Sequence, residues 1–254
     1  MKDDEIYVYG KHAVMEALQH APDKTVKKVF LAETVTDSDL FTALKKRNIA
    51  PSLLSANAVA GAGREASHQG VIALIDTEPM MIPLDTFLNG LDMSKNPALA
   101  VLGEIQDPHN VGAIIRSAAA FGISGVLIPK DRQAPVTGAV VKTSAGMAFR
   151  VPLVSIGNVN MTLRELKEKG FWIYGLSGEG ANELGKETFS EPSVFVVGNE
   201  SKGIREKTEE LCDIMLKIPM HPRTESLNAA VSAAIVMQDW SRQHPEALRS
   251  DLGA

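Results

Sequence analysis

The sequence contains very little cysteine, and this scarcity excludes two kinds of framework. Cys212 is the single cysteine among the 254 residues. An intrachain disulfide therefore cannot form, and a zinc site with four cysteine ligands is impossible. Because Cys212 lies in the apolar run 212–216, we interpret it as a buried structural thiol rather than a reactive one.

Residue sets with the spacing of metal ligands are also lacking. His221 is followed by Pro222 and has no second histidine or carboxylate at ligand spacing, so we interpret it as structural or solvent-facing. We therefore predict that the protein binds no metal.

Long hydrophobic runs are absent as well. No stretch approaches the ~18–20 consecutive apolar residues that a membrane-spanning helix needs. The first five residues are mostly charged and carry no apolar segment of the secretory type. We expect a soluble, cytoplasmic protein.

The chain has no excess of positive charge. Its net charge of -5 argues against coating of nucleic acid by charge alone, because phosphate contacts need clustered lysine and arginine. A local basic patch remains possible, so the motifs must decide whether nucleic acid is bound.

Three common enzyme motifs are missing. The sequence has no G-x-G-x-x-G after a strand, no G-x-x-x-x-G-K-[ST] and no G-x-S-x-G. The usual sequence grounds for a dinucleotide dehydrogenase, a P-loop enzyme or an α/β-hydrolase are therefore absent. The glycine-rich run 175–180 matches none of these patterns, but it is a plausible loop for a small ligand.

The pattern of apolar residues predicts two α/β domains. Residues 1–78 alternate short strands and helices in a small α/β unit, and the proline-containing residues 79–97 form a linker with one helix around 84–91. From residue 98 the predicted strands are apolar on both faces and separated by helix-length segments, which indicates a mostly parallel sheet covered on both sides. These strands are 99–102, 125–128, 151–154, 171–176, 193–197 and 214–218.

In such sheets ligands bind beyond the carboxyl ends of the strands, and a first group of polar residues follows the strand 99–102. Pro108 can open a helix, and Asn110 is suited to cap or anchor its first turn. Asn110 and Arg116 would face directions about 240° apart on one helix, so they converge only if Asn110 lies before the helix. Taken alone, this group is best interpreted as a capping asparagine and a solvent-facing arginine.

A second group follows the strand 193–197. Glycine at Gly198 allows a ligand to approach the backbone closely, and Glu200 can accept hydrogen bonds from hydroxyl or amine groups. Gly203 precedes another predicted helix. The alternative interpretation is a simple strand-to-helix turn.

A third group, residues 218–228, leads into the last long helix. We predict that Ser226 caps this helix and that Leu227, Val231, Ala234 and Ile235 form one apolar stripe. The stripe packs either within the core or against a second subunit.

In this order and at these spacings, the three groups resemble the SpoU, or TrmH-like, family of knotted RNA 2′-O-ribose methyltransferases. The resemblance covers about residues 98–242. It extends more weakly to the runs 9–14 and 68–71, which are similar to the substrate-recruiting domain of members that act on guanosine in ribosomal RNA.

The resemblance implies a C-terminal trefoil knot, which general topology rules would not predict. It also implies a homodimer and S-adenosylmethionine as cofactor. The positions that match the family's cofactor contacts are Leu176, Gly198, Ile218, Met220, Ser226 and Leu227.

The same resemblance implies a catalytic role for Arg116, assisted by Asn110, Glu200, Ser226 and Asn228. An arginine stays protonated in ordinary settings, so Arg116 acts either as a base in an unusual environment or by stabilising the developing alkoxide. We assign the other four residues to orientation.

Ribosomal RNA is the expected substrate, and transfer RNA is the second choice. Two other kinds of protein remain open: an RNA-binding protein that keeps the fold without catalysis, and a different cofactor-binding α/β enzyme that acts on a small molecule.

Overall fold

The computed structural model describes residues 4–54 and 68–249. Within these ranges the helices are α1 (Lys11–His20), α2 (Ser38–Lys46), α3 (Leu84–Asn89), α4 (Pro108–Ala120), α5 (Gly138–Thr143), α6 (Val159–Glu168), α7 (Glu206–Glu209) and α8 (Ala229–Gln243). The strands are β1 (Glu5–Tyr9), β2 (Val26–Leu31), β3 (Ser52–Leu53), β4 (Val71–Asp76), β5 (Met81–Pro83), β6 (Ala98–Leu102), β7 (Gly125–Pro129), β8 (Leu153–Ile156), β9 (Trp172–Leu176), β10 (Asn182–Glu183), β11 (Ser193–Val197) and β12 (Ile214–Lys217).

The chain divides into two compact units. The first combines Met1–Met81 with Val136–Arg150, and the second combines Ile82–Pro135 with Val151–Ala254. This differs from the predicted division, which placed residues 136–150 in the second domain. The difference arises because this segment packs on the first unit, where Arg150 Nε donates to Glu16 Oε2 over 2.6 Å.

The first unit is built on a small sheet of order β1-β4-β2-β3. The central strand β4 runs antiparallel to β1 and β2, and the two-residue β3 lies parallel to β2. Val8, Val29 and Ala73 are buried together with Val14 of α1 and Leu40 of α2. Apolar faces of strands and helices thus form the core that the alternating pattern predicted.

The second unit is built on a sheet of order β10-β12-β9-β11-β6-β7-β8-β5. Every strand pair from β10 across to β8 is parallel. Each predicted strand is present with its ends shifted by two residues or fewer, so the predicted α/β class with a mostly parallel sheet is confirmed.

Helices cover both faces of this sheet. On one face Leu88 of α3 and Leu163 of α6 pack against Val101, Val154 and Val196. The helices α4 and α8 pack against each other, and α8 also contacts β11. Helix α3 therefore belongs to the second unit, although the sequence predicted it within a linker.

Two helix starts differ from the predictions. Helix α4 begins at Pro108 and is capped by Asp107, so Asn110 lies inside its first turn. Helix α8 begins at Ala229 and is capped by Asn228 rather than by Ser226. In each case the capping side chain is the one whose oxygen reaches the free amides of the first turn.

Cys212 is partly buried, and its thiol donates to the carbonyl of Thr208. Burial raises the pKa of the Cys212 thiol to about 12, which keeps it protonated at neutral pH. This environment agrees with a structural thiol.

In the two described ranges, no helix has the length and apolar character required to cross a membrane.

Candidate active site

A tight loop follows β11 at the carboxyl edge of the large sheet. Asn199 N donates to Gly203 O over 3.0 Å, and Gly203 N donates back to Asn199 O over 2.9 Å. An added Cβ at Gly198 would lie 2.4 Å from the carbonyl carbon of Gly203 and 2.5 Å from Ile204 N. The loop can close this tightly only with glycine at position 198.

The side chain of Asn199 holds the loop in place. Its Oδ1 accepts from the amides of Ser201 and Lys202 at 3.0 and 3.1 Å, and its Nδ2 donates to the carbonyl of Glu104 over 2.8 Å. The loop after β11 is therefore tied to the loop after β6.

The carboxylate of Glu200 connects the loop to the start of α4. Its oxygens accept from Asn110 Nδ2 at 3.0 Å, from the amide of Asp107 at 3.2 Å and from the amide of Gln106 at 3.4 Å. Burial by itself would raise the pKa of Glu200, but these hydrogen bonds outweigh it and lower the pKa below its ordinary value. Glu200 is thus held as a carboxylate at neutral pH.

Asn228 joins the same network from the start of α8. Its Nδ2 donates to Asn110 Oδ1 over 2.9 Å, while its Oδ1 accepts from the amides of Ala230 and Val231. The buried amide of Asn110 is thereby bonded on both sides. Residues from all three sequence groups meet in one continuous chain of hydrogen bonds.

A cavity of about 420 Å³ lies beside this network. It is bounded by the segments that follow β9, β11 and β12. All of the predicted cofactor contacts line it, namely Leu176, Gly198, Ile218, Met220, Ser226 and Leu227. Glu200 is also in the wall, so the cavity and the polar network are contiguous.

Arg116 is not brought to this cavity. It is exposed on α4, outside the cavity lining, and no hydrogen bond or ion pair to it is found within the described ranges. Because Asn110 lies within the helix, the helical spacing rotates Arg116 by about 240° around the helix axis relative to Asn110. The two side chains therefore lie on different faces of α4.

No group of three or more histidine, cysteine, aspartate or glutamate side chains that could hold a metal gathers among the residues described. The prediction that no metal is bound stays a prediction.

Known families match both parts of the chain. The SpoU rRNA Methylase family model matches residues 97–238, and the model for RNA 2'-O ribose methyltransferase substrate binding matches residues 7–81. The chain belongs to the SpoU rRNA methylase family.

Two relatives resemble this SpoU chain over nearly its whole length. A protein of Neisseria meningitidis serogroup B named 23S rRNA (guanosine-2'-O-)-methyltransferase RlmB is 36% identical over 239 residues, covering 93% of this chain and 94% of its own. A protein of the same name from Pseudomonas syringae pv. tomato is 37% identical over 240 residues, covering 93% and 95%.

Solved structures show the same fold. The SpoU methyltransferase AviRb from Streptomyces viridochromogenes matches with a TM-score of 0.80 at 22% identity, covering 96% of this chain and 91% of its own. An RNA methyltransferase of the TrmH family from Porphyromonas gingivalis matches with a TM-score of 0.73 at 24% identity, covering 95% and 91%.

Some lining residues of this SpoU chain were missed from sequence. Ser177 and Gly178 line the cavity, and they lie in the glycine-rich run that was noted as a plausible ligand loop. Asn199 and Lys202 also line it. Asn199 lies in the second sequence group of the family resemblance without having been assigned a role, and no local signal distinguishes Lys202, because its position depends on how the loop folds.

Proposed function

We propose that this chain transfers a methyl group from S-adenosylmethionine to a ribose 2′-hydroxyl in ribosomal RNA. The observation that carries the proposal is the cavity lined by Leu176, Gly198, Ile218 and Met220 and bordered by the network of Glu200, Asn110 and Asn228. The relatives named as 23S rRNA (guanosine-2'-O-)-methyltransferases support the same reaction.

The cavity fits a cofactor of this chemistry. Its volume of about 420 Å³ falls within the range of ~300–1,000 Å³ found for small-molecule sites. Leu176, Ile218 and Leu227 supply apolar contacts for an adenine ring, while Glu200 and Ser226 supply oxygens for hydroxyl or amino groups. When bound, S-adenosylmethionine supplies a methyl group on a sulfonium, which is electrophilic without metal assistance.

The protein residues then have two tasks, orientation and charge stabilisation. Glu200, Asn110 and Asn228 hold the start of α4, the loop after β11 and the start of α8 in one arrangement. Arg116 acts from the RNA side, where its guanidinium stabilises negative charge on the ribose oxygen as the hydroxyl proton is released to water and S-adenosylhomocysteine leaves. Ser226 orients groups at the cavity wall.

The protein acts as a homodimer through α8. Buried residues of this helix such as Ala233, Val236 and Trp240 face the core of their own unit. Of the predicted stripe, Leu227 precedes the helix, while Val231, Ala234 and Ile235 lie on a different and partly exposed face, with Val231 at 46% exposure. A partly exposed apolar face on a helix that follows active-site residues supports an isologous interface.

The C-terminal segment forms a trefoil knot. Strand β12 lies towards one side of the sheet, next to β9 and β10, yet the following helix α8 returns to pack on β11 and α4. This return towards the middle of the sheet supports a knotted connection.

Ribosomal RNA is favoured over transfer RNA by the first unit, which matches a substrate-binding family over residues 7–81. The solved tRNA-modifying enzyme from A. aeolicus corresponds to only 60% of this chain. The protein acts in the cytoplasm, where ribosomal RNA is processed.

Incubation with methyl-labelled S-adenosylmethionine and either ribosomal or transfer RNA tests the proposal. We expect label on ribose of 23S ribosomal RNA, which mass spectrometry of nuclease fragments would locate. Label on transfer RNA alone would show that transfer RNA, not ribosomal RNA, is the substrate. RNA binding without methyl transfer would show that the protein is a non-catalytic RNA-binding protein.

A further inference from the structure

A second and larger cavity lies beside the first. Its volume is about 710 Å³, and it opens at the carboxyl ends of β6, β7, β8 and β11. The loop after each of these strands contributes to its wall. Ligands of open parallel sheets bind at this edge, so its position is that of a binding site.

The two cavities share one wall. Gly198, Asn199, Lys202, Gly203 and Ile204 line both of them. The loop after β11 therefore forms the wall between the two cavities.

Cationic side chains surround the second cavity. Arg205 Nη2 lies 2.7 Å from Glu104 Oε2, and Arg132 Nη1 lies 4.0 Å from Glu104 Oε1. Glu104 is 25% exposed, whereas Arg132 and Arg205 are 65% and 56% exposed. The carboxylate of Glu104 thus accepts a hydrogen bond from Arg205 and lies within ion-pair distance of Arg132, while both arginines stay more than half exposed.

Lys202 adds a third cation to the same wall, and no ion pair to it is found among the described residues. Three cations therefore line this cavity together with the two carboxylates of Glu104 and Asp131, so the wall carries a net positive charge in a chain whose net charge is -5. Guanidinium and ammonium groups are the side-chain groups that bind phosphate in proteins.

The backbone at this rim is also unusual. Glu104 has φ 65° and Arg132 has φ 56°, both in the left-handed region that residues with long side chains seldom adopt. Residues held in such conformations concentrate at ligand sites, where the surrounding structure fixes them.

Apolar and amide groups form the interior of the cavity. Pro129, Val159, Val196 and Ile204 line it. Asn158 caps α6 through Oδ1, which accepts from Met161 N over 3.1 Å and leaves its amide N–H groups for another partner. Apolar surface with a few amide groups suits a nucleobase.

We propose that this second cavity binds a nucleotide of the RNA substrate, with its phosphate on Arg132, Arg205 and Lys202 and its base against the apolar lining. This inference rests on the proposed function. It assigns the cavity to RNA, separately from the cofactor cavity on the other side of the shared loop.

The test measures RNA and cofactor binding separately. Arg132→Gln, Arg205→Gln and the double variant are titrated with a fluorescently labelled fragment of 23S ribosomal RNA, and with S-adenosylmethionine by calorimetry. We expect each single change to weaken RNA binding roughly tenfold and to lower the salt-dependence slope by about 0.7–0.9 per lost phosphate contact. Cofactor affinity should not change.

Arg164→Gln is the matched control, because Arg164 is exposed on α6 and does not line either cavity. Thermal unfolding would verify that each variant is folded, and Arg132→Lys should recover part of the RNA affinity. Wild-type RNA affinity and salt slope in the double variant would overturn the inference. So would an equal loss in Arg164→Gln, or a loss of cofactor affinity instead.

Failure of the proposed function would look different. The wild-type protein would then transfer no methyl group to RNA, whatever the binding constants of the cavity variants. Methyl transfer by the wild type together with unchanged RNA binding by the double variant would overturn only the assignment of the second cavity.

Discussion

Glu200 has the most hydrogen-bond partners of the predicted catalytic residues. Its carboxylate accepts from two backbone amides and from Asn110, and it also lies 3.3 Å from Asn199 Nδ2. Such a cluster of donors favours the charged form over the protonated one. Its role as an organiser of two loops follows from these contacts.

The lowered pKa of Glu200 makes its contribution to stability depend on pH. A carboxyl group whose pKa is lower in the folded state stabilises the protein fully above its unfolded pKa, which is about 4.5 for Glu200. That contribution is lost as the pH falls through the folded pKa. We expect the difference in unfolding free energy between wild type and Glu200→Gln to be constant from pH 7 to about 5 and to shrink below about pH 4. Urea unfolding across this range measures it, and a pH-independent difference would contradict the assignment.

Arg116→Ala should remove methyl transfer while leaving cofactor binding nearly intact. Arg116 is exposed on α4 and does not line the cofactor cavity, so its loss should not disturb that cavity. Losing a charge-stabilising group of this kind typically lowers the rate by ~10²-fold or more. Arg116→Lys should restore little of the methyl-transfer rate, because an ammonium group lacks the planar, forked N–H geometry of a guanidinium group.

Calorimetry with S-adenosylmethionine and a labelled-methyl assay on the same preparation decide this prediction. Near-normal turnover in Arg116→Ala would show that Arg116 is a surface arginine with no role in catalysis. Lost cofactor affinity would place Arg116 in the cofactor cavity instead.

Among the elements, the loop after β11 depends on close backbone packing. Gly198→Ala would place a methyl group 2.4 Å from the carbonyl carbon of Gly203, so the loop must shift. We expect the free energy of unfolding to fall by about 1–3 kcal/mol, the usual cost of adding a methyl group to a tightly packed region. Because the loop lines the cavity, cofactor affinity should also fall, by roughly tenfold or more. Gly185→Ala is the control, because no atom lies within 4 Å of an added Cβ there. Thermal unfolding measures the stability of both variants, and calorimetry measures their cofactor affinity. Equal stability and equal cofactor affinity in Gly198→Ala and Gly185→Ala would refute the expectation.

The start of α8 combines a helix cap with the active-site network. Asn228→Ala removes the acceptor for the amides of Ala230 and Val231 together with the bond to Asn110. The loss of the cap should lower stability by about 1 kcal/mol.

Asn228→Asp separates the two roles of this residue. The aspartate keeps an oxygen for the cap but replaces the N–H that Asn110 accepts with a carboxylate oxygen, so we expect the cap to be retained while the network is disturbed and methyl transfer is reduced. Denaturant unfolding and the labelled-methyl assay test both variants. Full activity in Asn228→Asp would mean that the bond to Asn110 is not needed.

At the scale of the whole molecule, the proposed homodimer depends on the exposed face of α8. Light scattering at micromolar concentration should report twice the chain mass for the wild type. Val231→Glu should shift the protein towards the monomer, because a buried unpaired carboxylate opposes association. Met161→Glu, at a position of 69% exposure on α6, should leave the mass unchanged. A monomeric wild type would exclude the dimer.

The parallel sheet could be predicted from the sequence because its signals are local, whereas the residues of the proposed cofactor cavity were predicted only from the family resemblance. Apolar runs such as 193–197 mark buried strands, and a glycine follows directly after β6, β8 and β11. The short strands β3, β5 and β10 were missed, because two or three residues carry no periodic pattern. The cap of α8 was assigned to Ser226 because either side chain type can cap a helix, and only the backbone path selects Asn228.

By itself the sequence determined that the chain has an α/β fold with a mostly parallel sheet, and its resemblance to the SpoU family predicted six of the residues that line the proposed cofactor cavity. Only the tertiary structure decided that residues 136–150 pack with the first unit, and that Glu200 bonds to Asn110 and Asp107. It also brought Arg132 and Arg205 to the same carboxylate of Glu104. The physical reason is that these contacts join loops far apart in the chain, and the order of strands in the sheet, rather than residue spacing, sets which loops meet.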